Sequence, residues 1–241
     1  MRKLLGLVGA TLLFAGPALA ADLAVKAPAA PLAPVPFSWT GFYIGAHVGA
    51  GWGTKEWDFF EPGEGRRNEF DSSHTVNGIL GGGQIGYNFA FIPSWVTGVE
   101  VQFSGADLKG KGDCGGADFN CSSKVNAIGT FAARLGLPIV NNQGLIYVKG
   151  GGAYAHDDFK VSDPFSPFSS SISDGRWGWM LGTGLEFWVP GAPSNWSAKI
   201  EYNYMDLGTK SYHFSGTPLA ETFDITQRLH LIKFGINYHF R

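Results

Sequence analysis

After its first twenty residues the 241-residue chain has no apolar run approaching the roughly twenty residues that a membrane-spanning helix requires, so helices are not expected to carry it across a bilayer. Charge is sparse as well, with 18 Lys and Arg against 20 Asp and Glu, a formal balance of −2 that becomes −4 once Arg2 and Lys3 are removed with the leader. The basic residues are scattered rather than clustered, so no nucleic-acid partner is expected. Only two cysteines occur, Cys114 and Cys121. Two thiols with no His or Cys pair at ligand spacing make a poor zinc cage; in an exported chain they read as a loop disulfide, contributing roughly 2.5 kcal/mol in the chain-entropy model. No helix follows Gly81, Gly82 and Gly83 to present amides to a phosphate, and no metal or cofactor is expected.

What the chain does have begins with Arg2 and Lys3, an apolar run from Leu4 to Ala15, and the triplet Ala18, Leu19, Ala20. That pattern is a secretory signal peptide, residues 1–20, cleaved between Ala20 and Ala21. Residues 21–38 are rich in Ala and Pro, with Pro28, Pro31, Pro34 and Pro36 withholding ladder donors, and read as a periplasmic tail.

From Trp39 to Arg241 the sequence reads as one all-β domain. Phe42, Ile44, Ala46, Val48, Ala50 and Trp52 alternate with Tyr43, Gly45, His47, Gly49, Gly51 and Gly53. The alternation returns near residues 75–89, 95–108, 125–137, 145–155, 175–189, 196–207 and 226–240, which predicts eight strands of roughly eleven to sixteen residues. Such strands meet or exceed the roughly nine to eleven residues that a tilted strand needs to cross a bilayer. Connections alternate between long (55–74 and 109–125 among them) and short, where Pro93 and Ser94, Asn141 to Gly144, and Pro190 to Asn195 supply turn chemistry. The expectation is an eight-stranded antiparallel up-and-down transmembrane β-barrel with four long extracellular loops and three short periplasmic turns.

A soluble barrel would show the same alternation with its apolar face inward, so the order of residues within each face decides between water and lipid. Along one face run Trp196, Ala198, Ile200, Tyr202 and Tyr204, and likewise Trp177, Trp179, Leu181, Thr183, Leu185 and Phe187. Rings gather toward strand ends and aliphatics toward the middle, as at two water boundaries flanking an apolar band. The opposite face carries Glu100, Gln102, Arg134, Lys149, Arg176, Glu186, Lys199, Glu201 and Lys233 and is read as the lumen. Charges there are tolerable only as a mutually bonded set. An eight-stranded barrel is just wide enough for side chains to fill, so the network is expected either to plug the barrel or to line a narrow ion path.

Trp39, Thr40, Gly41, Phe42, Tyr43, Ile44 and Gly45, then Gly82 to Asn88, then Gly235 to Phe240, together resemble the OmpA-like outer-membrane β-barrel domain family, including its small porin-family members. The resemblance covers nearly the whole chain from Trp39. It implies residence in the cell outer membrane and insertion by the outer-membrane assembly machinery, which reads a final strand ending in an aromatic residue; here Phe240 precedes a terminal Arg241. It also implies a role in envelope integrity and contact with host or environment, and brings no catalytic residues. Outer-membrane lipid and lipopolysaccharide are the expected surroundings. His156, Asp157, Asp158 and the serines Ser169 to Ser171 come nearest to a hydrolase set, but they read as polar loop residues, so no enzyme is expected. Two functions remain open: a structural and surface-interaction barrel, and a narrow passive channel.

Overall fold

The computed structural model describes residues 38–240 apart from 62–64, 67–71, 93, 115–118, 163–168, 190–194 and 214–221. The signal peptide, its cleavage site at Ala20 and Ala21, and the tail before Ser38 lie outside the described residues. Eight long strands follow in chain order: β1 (Gly41–Glu61), β2 (Ser72–Ile92), β3 (Trp95–Cys114), β4 (Phe119–Ile139), β5 (Gly144–Ser162), β6 (Ser169–Trp188), β7 (Trp196–His213) and β8 (Thr222–His239). Each pairs antiparallel with the next, and β1 closes on β8 from Tyr43 opposite His239 to Phe60 opposite Thr222. Closure leaves no edge along the pairing of β1 and β8, which lipid would leave without hydrogen-bond partners. A two-residue strand, Gly65–Arg66, folds back on the end of β1.

The strands are 18 to 21 residues long, exceeding the expected lengths. Segments anticipated as loop, such as Lys55 to Glu61 and Lys109 to Cys114, continue the ladders instead. The alternation fades there because the outer face, once clear of lipid, turns polar. The main-chain ladder is indifferent to that change.

Outward residues on β1 include Phe42, Ile44, Val48 and Trp52, all exposed. From Phe42 to Trp52 the chain advances roughly 33 Å at about 3.3 Å per residue, or about 25 Å along the axis after a tilt of about 40°. That is the height of the apolar band on outer-membrane barrels. Rings mark both of its edges: Trp52 stacks on His230 with centroids 5.7 Å apart at one, and Trp196 meets Tyr238 at 5.2 Å at the other.

Both barrel ends and three connections lie at one end, which is therefore the periplasmic one. The described turn there, Val140 to Gln143, places Val140, Asn141 and Asn142 at φ of 51°, 52° and 69° and closes with Gln143 N–H donating to the Val140 carbonyl at 3.0 Å. Asparagine tolerates that left-handed region better than most residues. At the other end Gly208, with φ of 65°, sits in a bulge between Asp206 and Thr209 where a side chain would be strained.

Candidate functional site in the barrel lumen

Inward positions of all eight strands fill the barrel in layers. At the periplasmic base Trp39, Val96, Leu145 and Tyr147 pack together with Trp188. Two tyrosines reach inward over glycines on neighbouring strands: a Cβ at Gly86 would strike the Tyr43 ring, and one at Gly184 would meet the Tyr147 ring 2.6 Å away. Glycine is needed at both positions because the ring occupies the space a side chain would take.

The tyrosines anchor the charge layer above them. Arg134 donates through Nη2 to Glu186 Oε2 at 2.8 Å and through Nη1 to the Tyr43 hydroxyl at 2.9 Å, and its guanidinium lies 4.0 Å from the Tyr147 ring centre. Glu186 also accepts from Ser197 Oγ at 2.6 Å and Asn237 Nδ2 at 2.8 Å. Lys149 donates to Glu100 and Glu201, both at 2.9 Å, and Lys199 to the same two at 2.8 and 3.1 Å. The Tyr43 hydroxyl donates to Glu100 at 2.9 Å, the Tyr147 hydroxyl to Glu201 at 2.7 Å, and Gln102 spans both carboxylates. Lys233 donates to Gln102 Oε1. Every one of these side chains is buried. Three carboxylates thus face four cations, and the many charge-assisted bonds offset the desolvation that an isolated ion could not survive.

The structure therefore brings together Glu100, Arg134, Lys149, Glu186, Lys199, Glu201 and Lys233, but not Arg176. Parity placed Arg176 on the correct face at the wrong height. It sits near the extracellular mouth, donating from Nε to the Tyr212 hydroxyl at 3.0 Å and from Nη1 to the Ile225 carbonyl at 2.8 Å.

Between these two polar levels lies an apolar layer absent from the sequence reading. Val76, Leu80, Leu108, Val125, Ile128, Met180, Met205, Leu207, Leu229 and Leu231, with three alanines, form one buried cluster contributed by β2 to β8. β1 contributes bare glycine instead: a Cβ at Gly51 would meet Leu231 and Leu108 at 2.6 and 2.7 Å. Above this layer Lys55 and Asp157 form an ion pair at 2.9 Å with neither side chain exposed. Lys55 Nζ lies 4.4 Å from the centre of the Phe159 ring, and His74 Nε2 lies 2.8 Å from Ser123 Oγ. Lys55 and Asp157 were anticipated in loops. Continuing the inward parity of Tyr43 along β1 to Lys55, and that of Tyr147 and Lys149 along β5 to Asp157, would have placed them.

Cys121 is buried on β4 opposite Gly112, and the Cys114 backbone pairs with Phe119 in the same hairpin. The side chain of Cys114 lies outside the described residues. On the outer wall, Ser173 Oγ lies 2.6 Å from Asp158 Oδ1 and 3.1 Å from His156 Nε2. The single hydroxyl proton goes to the carboxylate, so His156 donates to Ser173 and is not arranged as its base.

A closed barrel with an apolar outer band, rings at both edges and a packed, partly ionic interior is an integral outer-membrane β-barrel. The chain belongs to the family described as outer membrane protein beta-barrel domain, whose model matches residues 10–240. It is 33% identical over 236 residues to the 31 kDa outer-membrane immunogenic protein of Brucella melitensis biotype 1, covering 95% of each chain. The 25 kDa outer-membrane immunogenic protein of Brucella abortus biovar 1 is 28% identical over 251 residues, covering 99% of this chain and 98% of that protein. Among solved structures, the outer membrane protein OprG from Pseudomonas aeruginosa superposes with a TM-score of 0.54 at 16% identity, over 86% of this chain and 100% of that one, a likeness of fold alone. The protein resides in the outer membrane.

Proposed function

We propose that the protein is a structural and surface component of the outer membrane whose lumen does not conduct. The observation that carries this reading is the apolar layer from Val76 to Leu231, which interrupts the polar lining between the charge layer and the Lys55–Asp157 level. Hydrated ions crossing it would lose water and gain no polar partner, the principle by which hydrophobic constrictions gate pores. No catalytic constellation is assigned, and Cys114 and Cys121 are assigned to one bridge that pins the β3–β4 hairpin tip. Contact with outer-membrane lipid and delivery by the assembly machinery belong to the same reading, which the closed barrel and Phe240, the aromatic residue just past β8, support. The word immunogenic in the relatives' names fits presentation of the extracellular connections to the outside. The experiment is swelling of vesicles bearing the refolded protein in iso-osmotic small sugars and salts. No swelling above protein-free vesicles is expected; rapid swelling would favour the narrow-channel reading, which the polar levels on either side of the apolar layer otherwise support.

A further inference from the structure

Between β6 and β7 the main-chain ladder stops short of the extracellular mouth. Among the described residues these strands pair from Trp188 opposite Ser197 only as far as Trp179 opposite Asp206. The neighbouring ladders run on, β5 with β6 to Ser162 opposite Ser169 and β7 with β8 to His213 opposite Thr222. The break coincides with the bulge at Leu207 and Gly208, which bends β7 away from β6. Side chains bridge the seam instead. The Tyr212 hydroxyl donates to Asp174 Oδ2 at 2.7 Å, Lys210 Nζ meets the same oxygen at 2.5 Å, and Arg176 reaches across to Tyr212 and the Ile225 carbonyl of β8. The seam begins at the ring belt formed by Trp179, Tyr204, His230 and Trp52, so it opens the mouth sideways above the lipid band.

Behind the seam three buried polar atoms have no hydrogen-bond partner: Arg176 Nη2, Asp157 Oδ2 and Gln227 Oε1. Their residues are at most 2% exposed. They belong to one cluster, because Gln227 Nε2 and Lys55 Nζ both donate to Asp157 Oδ1, at 3.2 and 2.9 Å, and Lys55 Nζ and the Arg176 guanidinium lie 4.4 and 5.5 Å from the centre of the Phe159 ring. Asp157 neutralises Lys55, Asp174 neutralises Lys210, and His74 is neutral above about pH 4. Arg176 makes no ion pair among the described residues, which leaves one cation in excess. A buried cation is costly without a counter-ion, and the planar guanidinium fork matches a carboxylate. We propose that the mouth binds a small hydroxylated monocarboxylate of the sugar-acid kind, with its carboxylate on Arg176 and its hydroxyls donating to Asp157 Oδ2 and Gln227 Oε1. Charge and donor count select that class. Phosphate at neutral pH carries surplus charge and few donors, an amino-acid zwitterion leaves the excess cation uncompensated, and a neutral sugar leaves Arg176 without its anion. The rings of Trp57, Phe159 and Tyr212, with centroids 5.8 and 5.2 Å apart in succession, supply apolar surface for the carbon skeleton. Entry through the seam breaks no ladder bond; swinging Tyr212 and Lys210 off Asp174 opens the way to the three unpartnered atoms. The apolar layer is the floor of this site, and binding above it is independent of whether that layer conducts.

The test is isothermal titration calorimetry of the full mature chain, refolded in detergent, with D-gluconate as the probe. Gluconate should bind. D-glucose and acetate, each carrying half of the chemistry, should bind at least about tenfold more weakly, the discrimination that one charge-assisted hydrogen bond supplies. Arg176→Gln should weaken gluconate binding by at least about tenfold, and Gln227→Leu should weaken it severalfold. Lys111→Gln with Lys160→Gln, both exposed on the outer wall, should leave it unchanged. Folding of each variant is checked by heat-modifiable gel migration. Gln227→Leu keeps every charge in place, so it carries the test if Arg176→Gln fails to fold. Absence of gluconate binding by the wild type, equal binding of acetate, glucose or inorganic phosphate, or unchanged affinity in either folded variant would overturn the proposal. So would retention of an oligogalacturonate without binding of gluconate, which would assign the mouth to a polysaccharide rather than to a free acid.

Discussion

Removing Arg134 and Glu186 together should cost the folded barrel clearly less than the sum of removing each alone. Their contact at 2.8 Å has both side chains at 1% exposure or less, so deleting one leaves the other as a buried ion. Loss of one partner from such a pair costs about 3 to 5 kcal/mol. The surroundings refine that range. In Arg134→Met, Glu186 keeps Ser197 and Asn237 as donors, which places the loss near about 3 kcal/mol. In Glu186→Leu, Arg134 keeps the Tyr43 hydroxyl, but Glu100 lies 3.8 Å away and Nε already lacks a partner, so the loss should lie nearer about 5 kcal/mol. The double variant strands Ser197 and Asn237 but no charge, and should recover at least about 2 kcal/mol of the summed loss, a coupling typical of residues in one network. Urea unfolding in lipid vesicles, read by heat-modifiable gel migration, gives the four free energies. Additivity to within about 0.5 kcal/mol, the behaviour of independent sites, would refute the shared network.

Ile200→Arg, in the lipid band, should destabilise by about 2 to 4 kcal/mol, whereas Thr226→Arg, outward but beyond the band, should cost under about 1 kcal/mol; the same unfolding assay compares them. Gly86→Ala should lose about 1 to 3 kcal/mol by overpacking against the Tyr43 ring, visible as a lower temperature for the gel-mobility shift. His74 lies five residues beyond Ile79, outside the lipid band, and burial lowers its pKa to about 4, with Lys55 adding to the shift. Because the folded value lies below the unfolded one, its contribution is present above about pH 6.5 and is lost as pH falls toward 4. His74→Gln should flatten the stability profile in that window, and an unchanged slope would count against the assignment.

The face of each side chain was legible because strand parity is local: every member of the lumen set, Arg176 included, points inward as the alternation requires. Height was not, since it depends on the stagger between strands, which one-dimensional spacing does not encode. Arg176 shows the consequence, separated from Glu186 on its own strand by Met180 and the apolar layer. That layer was hidden for a different reason. Leu108, Met180, Met205 and Leu229 carry lumen parity in the sequence, but expecting a polar interior directs attention to the charges and past the aliphatics between them. Lys55 and Asp157 were lost where the outer face becomes polar and the two-residue signal weakens, although the ladders run on through both.

Single-channel recording in planar bilayers tests the sealed lumen most directly when three forms of the protein are compared. The wild type should be silent. Leu108→Ala with Leu229→Ala and Leu231→Ala, in molecules shown to be folded by their gel migration, should open unitary currents by thinning the apolar layer. Arg134→Met with Glu186→Leu should remain silent, because the layer above those residues is intact. Unitary currents from the wild type, or currents from the charge variant with none from the leucine variant, would contradict the account.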